Sequence, residues 1–173
     1  MMTFPIGGVA ELDGAAYLYN LSLLAVIFAA VSALATIVRQ TAGGKLPGFD
    51  VYLINTSVSF GFVIAFTAVL PPLILLFGLL RDSVWTIASG LGALLIAMNL
   101  ASVVARRGKA SRQPLPPIVL VGFCVHGVVV LSLATNALFP VVRGAALFCA
   151  ALTLCLGNMM WVLVQRLSSP PGR

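Results

Sequence analysis

The stretch VYLINTSVSFGFVIAFTAVLPPLILLFGLL, residues 51–80, contains no Asp, Glu, Lys or Arg and carries two adjacent prolines, Pro71 and Pro72. How it is read decides the topology of the whole chain. As a single helix it extends about 45 Å at ~1.5 Å per residue, whereas ~20 residues suffice for ~30 Å of hydrocarbon. Proline removes a backbone donor and clashes with the preceding turn. The run therefore reads either as one long spanning helix that kinks or breaks at the pair, or as two short crossings.

The segments on either side choose between these. Apolar runs occupy residues 17–38, 84–105, 118–139 and, from 142 or 144, through 164. Each is close to or above the length that spans a bilayer. The intervening segments carry the breakers and charges: Arg39 through Gly48 is rich in Gly with a Pro, Arg106 through Gln113 is basic, and Pro114, Pro116 and Pro117 suit the start of a helix. With residues 51–80 as one crossing, the chain has five spans. An outside N-terminus then puts Arg39, Lys45, Arg106, Arg107, Lys109, Arg112, Arg166 and Arg173 on the cytoplasmic side, leaving Arg81 and Arg143 outside. Eight against two follows the positive-inside rule. Two crossings in residues 51–80 would send the Arg106 to Arg112 cluster to the wrong side.

The expected fold is thus an all-α integral membrane protein of five transmembrane helices, N-terminus outside and C-terminus cytoplasmic, the second helix long and kinked at Pro71-Pro72. Residues 1–16 form a short extracytoplasmic tail, 17–166 a single transmembrane domain and 167–173 a short cytoplasmic tail. The N-terminus has Glu11 and Asp13 but no basic residue before the first apolar run, so it does not read as a cleaved signal peptide. The expected location is the inner (plasma) membrane, multi-pass.

Composition agrees. Apolar residues make up 61% of the chain and Asp, Glu, Lys and Arg only 8%, against about a quarter charged in soluble domains. The net charge of +6 sits beside apolar segments, which points to anionic lipid headgroups at Arg106, Arg107, Lys109 and Arg112 and away from nucleic acid.

No ionisable acid or base lies in the middle of a span apart from His126, the single histidine. Pumps, voltage sensors and proton-coupled carriers depend on such groups. His126 can be an axial ligand to a haem or chlorophyll-type macrocycle, with Gly122 one turn earlier giving a flat ring access to the helix, or it can be a histidine bonded to a neighbouring helix. Cys124 and His126 are ~200° apart on a helix and cannot chelate one ion; Cys149 and Cys155 are also poorly placed. No metal site and no catalytic constellation is indicated, and the sequence leans away from an enzyme.

On the second helix Thr56, Ser59, Val63, Thr67 and Pro71 recur at spacings of three and four, a polar stripe that can line a narrow pore or make helix contacts, and Asn99 lies on a polar face of the third helix with Ser89, Gly92 and Ser102. Asn136 and Asn158 read as residues that cap helices or bridge to loops. Small-residue ladders occur at Ala25, Ala29 and Ala33, at Ala93, Ala97 and Ala101, and at Ala146, Ala150 and Gly157; such ladders let helix backbones approach closely in lipid. Trp85, Trp161, Tyr17, Tyr19 and Tyr52 lie near span ends as interfacial anchors.

Three functions fit. The first is a non-catalytic structural or accessory subunit of a larger membrane complex. The second is a homo-oligomeric channel or facilitator for a small solute along the Thr56 to Thr67 stripe. The third is a pigment-binding subunit holding its macrocycle at His126; no other cofactor is indicated.

Overall fold

A computed structural model describes residues 12, 14–41, 48–110, 117–139 and 144–168. Those residues form five α-helices and no strand: α1 (Ala15–Thr41), α2 (Gly48–Leu76), α3 (Arg81–Ala110), α4 (Pro117–Leu138) and α5 (Gly144–Ser168). Each contains a stretch long and apolar enough to cross a membrane: Ala15–Ala35, Val51–Leu76, Ser83–Arg107, Pro117–Leu138 and Gly144–Gln165. The chain has the architecture of a multi-pass helical membrane protein. Helices suit that solvent because every backbone donor and acceptor is satisfied within the segment.

The proline pair does not end α2. The helix continues through Pro71 and Pro72 to Leu76, although the carbonyls one turn earlier, at Thr67 and Ala68, lose their helical donors. Termination falls on Gly78, whose φ of +76° is the left-handed cap conformation that glycine adopts without a Cβ penalty. Phe77 N–H donates to Ile74 O at 3.1 Å and Gly78 N–H to Leu75 O at 3.0 Å, tightening the last turn. Residues 79 and 80 then lead directly into α3, where Ser83 and Val84 N–H both reach back to Leu80 O. The α2–α3 connection is a tight helical hairpin, and the apolar run extends beyond the helix because its last residues form that turn.

Neighbours in sequence pack side by side, and α5 closes the ring, packing after α4 most closely on α2 and less on α1 and α3. The core runs down this ring on Phe60, Ile64, Ile96, Leu133, Phe148 and Leu152, all fully buried. The outer surface is apolar as well, with Leu23, Leu34, Phe62, Phe66, Met98, Leu131 and Leu154 each more than half or close to half exposed. An apolar exterior of this kind is the face a bilayer covers.

The small-residue ladders separate into two kinds. Ala25 and Ala29 are buried and sit against Gly61 of α2, where a Cβ would come within 2.9 Å of Ala29 Cβ and 3.0 Å of Ala25 O. On α3, Ala93 is buried and Ala97 half-buried, while Ala101 is exposed. On α5 the ladder is outside: Ala146, Ala150 and Gly157 are exposed, and the space over Gly157 is open for 4 Å.

Of the expected anchors, Tyr17, Tyr19 and Trp161 are about half exposed. Tyr52 is not at the surface. It is 8% exposed and its hydroxyl donates to Val103 O of α3 at 3.0 Å, so it ties α2 to α3. Tyr17 reaches across to Thr153 of α5 through its hydroxyl.

Most of the N-terminal tail, the segments holding Lys45, Arg112 and Arg143, and the end of the C-terminal tail with Arg173 lie outside the described residues.

Candidate functional site

Among the polar side chains inside the bundle are three groups, set by which helices meet at that depth. The first lies at the level of His126. Here α2 and α4 are not backbone neighbours, and side chains bridge the gap: the Phe60 ring of α2 rests 4.2 Å, centroid to centroid, from the His126 imidazole. His126 is 1% exposed. Its Nδ1 lies 2.7 Å from the carbonyl of Gly122, one turn back on the same helix. A lone pair facing a carbonyl oxygen at that distance is repulsive, so Nδ1 carries the proton and Nε2 the lone pair. Asn158 of α5 donates through Nδ2 to the same Gly122 carbonyl at 3.3 Å and stands 3.2 Å from Nδ1. The Nε2 atom is buried and has no partner among the described residues, a condition that costs about 1–3 kcal/mol for a buried polar group.

A cavity of about 30 Å³ adjoins this group, enough for one or two water molecules. It is walled by α2 (Leu53, Thr56, Ser57, Phe60), α4 (Val119, Gly122, Phe123, His126) and α5 (Asn158, Met159, Val162). Gly122 sits where α4 and α5 approach each other. A Cβ there would stand 3.5 Å from Val162 Cγ2 and 3.6 Å from Asn158 Nδ2, so α5 occupies the space over this glycine.

The second group joins α2 to α3. Ser59 Oγ donates to Asn99 Oδ1 at 2.6 Å, and Asn99 is 9% exposed with its Nδ2 unpartnered among the described residues. One turn on, Ser102 donates to Asn99 O, and Arg106 donates to Ser102 through both Nε and an Nη. Arg106 is thereby folded back along its own helix. Arg107 is half-buried.

The third group is at the opposite end of the bundle. Asn136, 5% exposed, donates through Nδ2 to Ser89 Oγ at 2.7 Å and to Gly144 O at 3.1 Å. It locks α3, α4 and the first residue of α5 together. The sequence reading gave Asn136 and Asn158 capping or bridging roles; both instead make bonds between helices.

The α2 stripe is distributed over these sites. Thr56 lines the His126 cavity, Ser59 meets Asn99, and Thr67 packs its methyl on Gly92, where a Cβ would come within 2.7 Å. Thr56 and Thr67 donate to the carbonyls one turn back, Tyr52 O and Val63 O, at 2.8 and 2.7 Å. Pro71 is buried beyond them. Cys124 is exposed on the face of α4 opposite His126, and Cys149 and Cys155 are free thiols. Among the described residues, no three His, Cys, Asp or Glu side chains come together.

What sequence reading missed is the meeting of Asn158 with Gly122 and His126. The only signal for it was Gly122 one turn before His126, which marks a close approach but does not say by which helix. No family model matches the chain, and no curated protein and no solved structure matches it either.

One expectation follows directly. His126→Gln keeps a donor that can reach Gly122 O but loses the ring contact with Phe60. Polar contacts between membrane helices average about 0.6 kcal/mol, so the variant is expected to lose about 1 kcal/mol in reversible unfolding in mixed micelles and to show the same visible spectrum as the parent. A visible band lost with the imidazole would mean that His126 holds a chromophore.

Proposed function

We propose that this chain is a non-catalytic structural or accessory subunit of a larger membrane complex, held in it through the outward face of α5. The observation that carries the reading is the contrast between two ladders of the same composition. Ala25 and Ala29 are covered by Gly61 of α2. Ala146, Ala150 and Gly157 are exposed, and among the described residues no atom lies within 4 Å of the place a Cβ on Gly157 would take. Small residues on a membrane helix permit close backbone approach by a second helix, and on α5 the proposal assigns that second helix to a partner subunit.

The channel reading has less support. Thr56 and Thr67 commit their hydroxyl protons to their own helix, and the cavity that Thr56 lines is small, about 30 Å³. A macrocycle at His126 would need α5 to leave Gly122, and far more room than 30 Å³.

Within the same proposal, the N-terminus is outside, the C-terminus cytoplasmic and the membrane the inner (plasma) membrane, with α2 kinked at Pro71-Pro72. Arg106, Arg107, Lys109 and Arg112 then face anionic headgroups on the cytoplasmic side, each contributing about 1 kcal/mol near the surface.

Gly157→Leu tests the interface without disturbing the fold. Its side chain enters open space, so thermal stability of the isolated protomer should stay within about 0.5 kcal/mol of the parent. Purified in mild detergent from its native membrane, the parent should bring down stoichiometric partners that the variant loses. Equal recovery of partners by both proteins would remove α5 as the contact face.

A further inference from the structure

We propose that the cavity between α2, α4 and α5 is a dry apolar site that takes up one dissolved gas molecule, monatomic or diatomic, of the size and apolar character of dioxygen. The site is independent of the α5 interface and of the subunit reading. Its size and its wall define the guest. A volume of about 30 Å³ exceeds the ~10–15 Å³ that one water-sized sphere occupies, so one or two heavy atoms fit and a ring does not. Nine of the eleven lining residues are buried, and only Leu53 and Phe123 are half-buried. A lipid chain, which must lead its remaining carbons out again, is the poorer fit.

Where a guest can touch it, the wall is almost wholly apolar. Leu53, Phe60, Val119, Phe123, Met159 and Val162 contribute methyl groups, aromatic rings and a thioether. The polar side chains among the lining turn their protons to the backbone instead. Thr56 and Ser57 donate to Tyr52 O and Leu53 O, and His126 Nδ1 and Asn158 Nδ2 both engage Gly122 O. His126 Nε2 is too deeply buried for a guest to reach. A buried water is held by about three hydrogen bonds, and cavities without polar partners stay dry and bind apolar guests. A small gas molecule leaves no hydrogen bond behind when it enters. It gains dispersion contacts with wall atoms that otherwise face a void, among them the polarisable sulfur of Met159.

Two adjacent methionines make the test specific. Met159 lines the cavity, whereas Met160, one residue on and at nearly the same depth, is 47% exposed. Methionine labelled with ¹³C at the methyl group therefore places a lipid-facing reference beside the cavity probe. The full chain is measured in lipid nanodiscs under xenon and, separately, under dioxygen, each over a series of pressures, with Met159→Leu and Met160→Leu assigning the two resonances. Under xenon the Met159 methyl resonance is expected to shift and saturate, while that of Met160 moves linearly with the gas dissolved in the lipid. Under dioxygen, whose unpaired electrons speed the relaxation of nearby nuclei, the Met159 methyl is expected to relax faster than that of Met160. Ser57→Leu enlarges a wall residue and should remove both effects at Met159 while leaving Met160 unchanged; Val162→Ile, one methylene larger, is the milder filling variant and should weaken them. The proposal is overturned if the Met159 shift stays linear in xenon pressure, if dioxygen relaxes Met160 more than Met159, or if both effects survive the filling variants unchanged. Cross-relaxation of the Met159 methyl with water or lipid-chain protons in the absence of added gas would overturn it as well, by showing the cavity already filled.

Discussion

Gly61→Leu is expected to be the most damaging single substitution in the bundle, lowering stability by about 2–3 kcal/mol, at the upper end of the range for overpacking a close-fitted interior. At Gly61 the first side-chain carbon alone would lie 2.9 Å from Ala29 Cβ and 3.0 Å from the Ala25 carbonyl oxygen. Neither atom can rotate away, since one is a Cβ and the other is backbone. The helices α1 and α2, which share the most extensive contact of any pair, must therefore separate along their length. Replacing glycine in a helix returns up to about 1 kcal/mol of propensity, which does not offset a displaced helix pair. Gly157→Leu has the same propensity gain and no clash, so it is the matched control. Reversible unfolding in mixed micelles, followed by circular dichroism, reads the difference; equal stability of the two variants would show that the α1–α2 seam is not close-packed at Gly61.

The second large effect concerns insertion. Neutralising Arg106, Arg107, Lys109 and Arg112 together reduces the proposed cytoplasmic excess from eight against two to four against two. Since Lys and Arg near span ends set orientation, this variant is expected to insert in mixed orientations. A reporter active only in the cytoplasm, fused after Arg173, should be fully active on the parent and lose a large part of its activity on the variant. Full cytoplasmic activity in both would show that these four charges do not orient the chain, and a parent fusion active only on the far side would invert the topology.

The five helices were legible in the sequence because a bilayer demands what composition displays: uninterrupted apolar runs of sufficient length, punctuated by Gly, Pro and charge. Helix ends were less so. The proline pair is the most visible interruption in residues 51–80, yet α2 continues past it and stops at Gly78, because a left-handed cap ends a helix more decisively than two missing donors in a segment packed on both sides. The opposition of Cys124 and His126 was readable from helical period alone. Which ladder packs inside was not: Ala25-Ala29 and Ala146-Ala150 are the same signal, and only the position of Gly61 on another helix distinguishes them. The same holds for the site. Thr56, His126 and Asn158 lie on three helices, and the register between helices that brings them to one cavity is a tertiary property absent from any local pattern.

The central claim is that α5 is an assembly surface, and the mass of the particle in its native membrane tests it most directly. Extracted with a lipid-retaining polymer and weighed by native mass spectrometry, the protein is expected in a particle heavier than the 18.1 kDa chain by fixed, integral amounts of one or more partner subunits. A particle containing one 18.1 kDa chain and lipid alone would contradict the account.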